Sequence, residues 1–175
     1  MYDEDYYGQF DWIVPKGFDK LIIPHIKGKN VVDIGCAIGT LGEEINKYAS
    51  CYLGVEISDY CYSKLVEKKL DCIILGSSKF SFKHSFNVAC LFDVIEHLSD
   101  RDIQTLIELL PNTLLISTPL YQTPDITHIN VKNLTEWSKF FVLLDYRFLL
   151  FGEFIYPEPD GTDGTTTVFK LYKNK

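Results

Sequence analysis

Short apolar runs alternate with segments of helical spacing along most of this chain, and that alternation constrains the fold more than any other feature. Residues 31–34, 52–57, 72–75, 86–92 and 113–117 read as strands. Residues 40–48, 59–69, 99–110 and 134–141 read as helices, the third of them capped by Ser99 and stopped by Pro111. The tail adds two more strands, 146–156 and 165–172, joined by a turn over 157–164 rich in Pro, Gly and acidic residues. The fourth run, 86–92, is apolar enough for a central strand covered on both faces. Strand–helix alternation predicts an α/β fold with a mostly parallel, doubly wound sheet, closed by a β-hairpin. In such sheets ligands bind outside the C-terminal ends of the strands, near the point where strand order reverses. A single domain over residues 1–175 is expected, with 1–29 as an N-terminal arm or lid and 30–175 as the core.

Charge and cysteine usage narrow the function. A net charge of −7 disfavours a protein whose main task is to grip nucleic acid, because such affinity rests largely on neutralising phosphates. Five cysteines, Cys36, Cys51, Cys61, Cys72 and Cys90, form no C-x-x-C pair and sit among apolar neighbours. They read as reduced, small hydrophobes rather than disulfide or zinc ligands. No apolar run reaches the roughly 18 residues of a membrane helix, and residues 1–5 have neither the basic nor the apolar part of a signal peptide. The expectation is a soluble, cytoplasmic protein, monomeric or homodimeric.

The segment Val31-Val32-Asp33-Ile34-Gly35-Cys36-Ala37-Ile38-Gly39-Thr40 carries the clearest chemistry. Gly35, directly after a strand, permits a tight turn and close approach of a ligand to the main chain. Gly39 lets the next helix start close by, with Thr40 and Glu43 at capping-box spacing. No Lys follows Gly39, so this is no phosphate loop, and Ala37 and Thr40 occupy the second and third glycine positions of a dinucleotide loop. Asp33, Glu43 and Glu44 would repel a pyrophosphate, so a neutral or cationic ligand fits better. Glu56 ends the second strand, where a carboxylate can accept hydrogen bonds from both hydroxyls of a ribose.

The loop, followed by Tyr-Leu-Gly-Val-Glu-Ile-Ser at 52–58 and Leu-Phe-Asp-Val-Ile-Glu-His-Leu at 91–98, resembles the class I S-adenosylmethionine (SAM)-dependent methyltransferases. It looks most like the small-molecule branch that includes the ubiquinone- and menaquinone-biosynthesis enzymes. The resemblance implies a Rossmann-like, seven-stranded sheet of order 3-2-1-4-5-7-6, with strand 7 antiparallel and helices on both faces. It also implies SAM as cofactor and S-adenosylhomocysteine as product. Asp33, Gly35, Cys36, Ala37 and Gly39 would line the methionine portion, Glu56 would hold the ribose and Ile57 would pack on the adenine. Phe92 or Asp93 would floor the sulfonium side. Three positions depart from the family pattern: Ala37 for the middle Gly, Ser77 where an Asp often meets the adenine amino group, and Asn87 for an Asp at the start of strand 4.

Methyl transfer from a sulfonium needs alignment and exclusion of water, and a base only when the acceptor is a hydroxyl or a protonated amine. His97, Asp125 and His128 are the candidates for that work, with Asp125 and His128 placed to orient each other. Asp93, Glu96, His97, Asp125 and His128 could share a divalent ion, but no spacing enforces it, and no metal is assigned. His25 and His84 read as structural. The aromatic, acidic stretch 2–12 is either an arm on the sheet or a lid over the pocket, with Tyr6 or Tyr7 reaching in. The short N-terminal stretch predicts a shallow acceptor pocket, suited to a small molecule, a sugar or a protein side chain. The expected reaction is methylation of an O or N atom of a soluble acceptor, small molecule or sugar before nucleic acid. The alternatives are a methyltransferase-like binding or partner subunit and, more weakly, a nicotinamide-dependent oxidoreductase.

Overall fold

A computed structural model describes residues 4–7, 13–74, 82–83, 85–157 and 163–174. The strands are β1 (Asn30–Ile34), β2 (Cys51–Glu56), β3 (Cys72–Ile74), β4 (Val88–Phe92), β5 (Thr113–Thr118), β6 (Tyr146–Pro157) and β7 (Asp163–Lys173). They form one sheet in the order β3-β2-β1-β4-β5-β7-β6. β1 to β5 run parallel, while β7 is antiparallel to both its neighbours, as expected. The helices are α1 (Glu4–Tyr7), α2 (Phe18–Leu21), α3 (Ile23–Ile26), α4 (Thr40–Asn46), α5 (Asp59–Glu67), α6 (Asp100–Ile107) and α7 (Leu134–Leu143), with a 3-10 turn at Ile95–His97.

Period-2 alternation in the strands supplies two cores. Val32, Ala89, Leu91, Leu114 and Ile116 point to one face, where Ile103 and Ile107 of α6 and Trp137 and Phe141 of α7 cover them. Their neighbours Val31, Val88, Cys90, Phe92 and Leu115 point to the other, beneath Phe18, Ile22 and Ile26, Ile45 of α4 and Leu65 of α5. Thus α4 leaves β1 for one face while the chain after β4 turns to the other. The crevice between the ends of β1 and β4 is the switch point of the sheet.

Local rules set most helix starts. Ser58 accepts the Cys61 N–H at 3.2 Å and Ser99 that of Asp102 at 3.2 Å, both as N-caps. Asn133 and Glu136 form a reciprocal capping box on α7. The capping box expected of Thr40 and Glu43 does not form. Gly39, left-handed at φ 83°, takes the cap position, Thr40 is already helical, and Glu43 instead pairs with Lys68 at 2.6 Å. β4 starts at Val88 rather than at residue 86, because Phe86 turns onto Phe82 and Asn87 closes the seam with Asn30 through its main chain and side chain. β6 and β7 extend into the segment expected to be turn, pairing as far as Pro157 with Asp163. No helix among the described residues is long and apolar enough to cross a membrane.

Candidate functional site

The loop after β1 leaves the sheet through left-handed residues, Gly35 at φ 67°, Ala37 at 50° and Gly39 at 83°. A side chain at Gly35 would come within 2.8 Å of Val94, so the glycine keeps the loop against the segment after β4. Ala37 holds a conformation that costs an L-residue roughly 1–2 kcal/mol, and its position has a visible cause. Its N–H donates to Glu56 Oε2 at 2.8 Å, while Glu56 Oε1 accepts the N–H groups of Ile57 at 2.7 Å and Ser58 at 3.0 Å. Glu56 is only 4% exposed. One carboxylate therefore binds the β1 loop to the end of β2 and the start of α5, and sequence reasoning, which gave it a ligand to hold, missed this second task. A carboxylate offers about four acceptor sites, so capacity remains beyond the three N–H groups. Ile57 beside it is 66% exposed, a large apolar side chain facing outward at the strand end.

The remaining loop candidates divide. Cys36 and Phe92 belong to the core, Phe92 packed edge-on against Phe18 and Phe154. Asp33 is buried and accepts the Tyr52 hydroxyl at 3.2 Å. Burial lifts its carboxyl to about 7, with Glu56 adding to the rise and the Tyr52 bond opposing it. Ser77 and His84 lie outside the described residues. A folded pKa above the unfolded value of about 3.9 means that the native state holds a proton the unfolded chain has released. Stability from this group is complete below pH 4 and is lost as pH rises to about 7. The melting temperature of Asp33→Asn minus that of the wild type should therefore climb between pH 4 and 7 and level off above. The underlying stability difference changes by at most about 1.4 kcal/mol per pH unit, and thermal melts at pH 4.5, 6 and 8 read it. A difference that stays flat across that range would sink the assignment.

Across the crevice, Asp93 sits left-handed at φ 54° and half-buried. Its Oδ1 accepts from Ser117 at 2.9 Å and its Oδ2 from the Tyr156 hydroxyl at 3.1 Å. Burial raises its carboxyl, against these bonds. The 3-10 turn then places Glu96 inside, 0% exposed, and His97 at the edge. Loop 119–133 folds back over this turn. The Asn130 N–H donates to the Glu96 carbonyl at 2.9 Å, and its side-chain amide donates to Leu98 O at 2.7 Å and Asp100 Oδ1 at 2.9 Å. His97 Nδ1 lies 3.2 Å from the Thr127 carbonyl, and His128 Nδ1 lies 2.7 Å from the Thr123 hydroxyl. The two imidazoles meet edge to face, 4.7 Å between centroids. Burial lowers the pKa of both, and His128 lowers that of His97 further. Asp125 accepts from Thr127 Oγ1 at 2.6 Å and lies 3.7 Å from His128 Nε2. Burial pushes its carboxyl up, and the bonds from Thr127 outweigh that to leave it below the usual range. His97, Asp125 and His128 thus come together. His25 stands apart, beside Lys170 and Phe151.

Helix α1 touches both walls of the crevice. The Tyr6 hydroxyl donates to Asp125 Oδ2 at 3.2 Å, and the Tyr7 ring stacks on Tyr60 of α5 at 6.1 Å. Since α5 follows β2 and Asp125 follows β5, these contacts bridge strands on opposite sides of the β1–β4 pair.

Residues 13–146 match the model of a family described as a methyltransferase domain. No curated protein matches the sequence. Among solved structures, the chain is similar to the YcgJ protein of Bacillus subtilis at 13% identity and TM-score 0.68, over 88% of this chain and 97% of that one. It is similar to magnesium protoporphyrin IX methyltransferase from Synechocystis PCC 6803, solved with bound SAH, at 11% identity and TM-score 0.70, over 99% and 96%. A SAM-dependent methyltransferase from Thermotoga maritima, described as a possible histamine N-methyltransferase, shares 11% identity at TM-score 0.68, over 89% and 86%. At these identities the likeness is one of fold.

Proposed function

This chain belongs to the family of methyltransferase domains, and from that premise we propose that it transfers the sulfonium methyl group of SAM to an oxygen or nitrogen of a small-molecule or sugar acceptor. The observation that carries the reading is the pairing, across one switch-point crevice, of a glycine loop latched to Glu56 with the His97–Asp125–His128 group. The residues suit a nucleoside sulfonium: a carboxylate with acceptor capacity to spare stands beside an outward-facing Ile57. When bound, SAM supplies an electrophilic methyl carbon on a good leaving group.

The chain's own residues do the rest. Glu56 accepts from the ribose hydroxyls, Ile57 packs on the adenine, and the main chain at Gly35 and Ala37 runs along the methionine portion. Asp93 and Phe92 close the floor, and α1 with Tyr6 and Tyr7 covers the crevice from above, which keeps water from the reacting atoms. On the acceptor side, imidazoles held neutral by burial meet the acceptor's hydroxyl or amine and draw off its proton, with Asp125 steadying the charge that forms on His128. Calorimetry of purified, ligand-free protein should show one SAM per chain with micromolar affinity and no heat with NAD. A folded sample that is silent with SAM overturns the proposal and points to a partner subunit built on the same fold.

A further inference from the structure

A carboxylate oxygen of Glu96 and one ring nitrogen each of His97 and His128 lie within 4.8 Å of one another. From this geometry we propose that the three residues form a divalent transition-metal site, which takes an oxygen of the acceptor as a further ligand. The inference rests on the methyl-transfer reading only for the identity of that last ligand.

Three observations point to an ion. First, Glu96 is 0% exposed; its Oε2 accepts from Thr118 at 3.1 Å, while its Oε1 has no hydrogen-bond partner among the described residues. A buried carboxylate oxygen left unsatisfied is costly and calls for a cation or an ordered water. Second, the tautomers suit metal binding. A carbonyl can only accept, so the Thr127 carbonyl beside His97 Nδ1 favours a proton on that nitrogen and leaves the Nε2 lone pair for a metal. The Thr123 hydroxyl, 2.7 Å from His128 Nδ1, can accept from that nitrogen in the same tautomer. Such outer hydrogen bonds to the second ring nitrogen are how proteins orient histidine ligands. Third, the site is built rather than incidental. Asn130 ties loop 119–133 to the turn through the Glu96 and Leu98 carbonyls and Asp100, and this brings His128 onto His97 from 31 positions along the chain.

Two imidazoles and one carboxylate suit Zn²⁺, Co²⁺ or Mn²⁺ better than Mg²⁺ or Ca²⁺, which prefer all-oxygen sets. Three protein ligands leave positions open, as in catalytic rather than structural metal sites. With an ion held there, His97 and His128 would be its ligands and not the base. A coordinated hydroxyl loses its proton more readily, so the acceptor class selected is a hydroxyl compound, and Asp125 beside His128 would take the imidazoles' place as proton acceptor.

The test titrates metal-stripped full-length protein with Co²⁺, followed by visible absorption, and with Zn²⁺, followed by calorimetry, both without SAM. One ion per chain is expected, with a Co²⁺ spectrum lacking thiolate charge transfer. His128→Ala and the isosteric Glu96→Gln each remove a ligand and should weaken binding by more than the roughly 10–100-fold that follows loss of an outer partner, while Cys51→Ser, at an exposed thiol, changes nothing. Absence of stoichiometric binding, a thiolate spectrum, or equal affinity in folded His128→Ala would each overturn the site. A parallel SAM titration separates the two readings. Loss of metal binding with SAM binding intact removes this inference alone, and the reverse pattern removes only the methyl-transfer reading.

Discussion

Replacing Glu56 with alanine is expected to destabilise the protein by about 3 kcal/mol, lowering the melting temperature by roughly 6–12 °C, and to weaken SAM binding at least 100-fold. Three backbone N–H groups, those of Ala37, Ile57 and Ser58, lose a charged acceptor that is itself 4% exposed. Hydrogen bonds to charged groups contribute about 1.5–3 kcal/mol each, and water entering the space left by the side chain recovers part of that. Glu56→Gln separates the two ends of the latch. Its amide oxygen can keep Ile57 and Ser58, but its NH₂ then faces the Ala37 N–H, donor against donor. The glutamine variant should therefore lose less stability than the alanine variant and almost as much SAM affinity, because the part released is the ligand loop. Thermal melts and calorimetry on the three proteins test this. A stable Glu56→Ala protein with wild-type affinity would show that the latch serves neither fold nor ligand.

What the sequence makes legible follows from how local each feature's cause is. The sheet is readable because period 2 and strand-end glycines are nearest-neighbour properties: Val31 and Val32 enter opposite cores because they are adjacent. Glu56 is readable as a strand-end acid, but its bond to Ala37 is tertiary, and so its structural task is hidden. Thr40 and Glu43 have the spacing of a capping box, yet the loop arrives at the helix through a left-handed Gly39, and Lys68 of the next helix-turn region claims Glu43. Glu96 shows the limit most clearly. In Glu96-His97-Leu98 nothing distinguishes a solvated acid from a buried one. Its burial follows from where loop 119–133 lands, through contacts such as that of Asn130 with its carbonyl.

Gly39→Val should cost about 3–5 kcal/mol, a fall of roughly 6–20 °C in melting temperature, with SAM binding lost alongside. Gly39 has φ 83°, and a Cβ there would lie 2.7 Å from Leu65 Cδ2 and 2.8 Å from Leu70 Cδ1. Both leucines are packed, at 0% and 6% exposure, so neither can retreat without opening the core beneath α4 and α5. The loop must move instead, which draws the Ala37 N–H away from Glu56. Ala37→Gly is the opposite case in the same loop. At φ 50° the alanine already bears left-handed strain, and glycine relieves it at a smaller entropic cost, for a net gain of about 0.5 kcal/mol. That variant should melt a degree or two higher and bind SAM as the wild type does. Two substitutions two residues apart, with opposite signs, distinguish a loop held by steric fit and a carboxylate latch from one that is merely flexible. If Gly39→Val melted with the wild type, or Ala37→Gly well below it, steric fit and the Glu56 latch would not be what holds the loop.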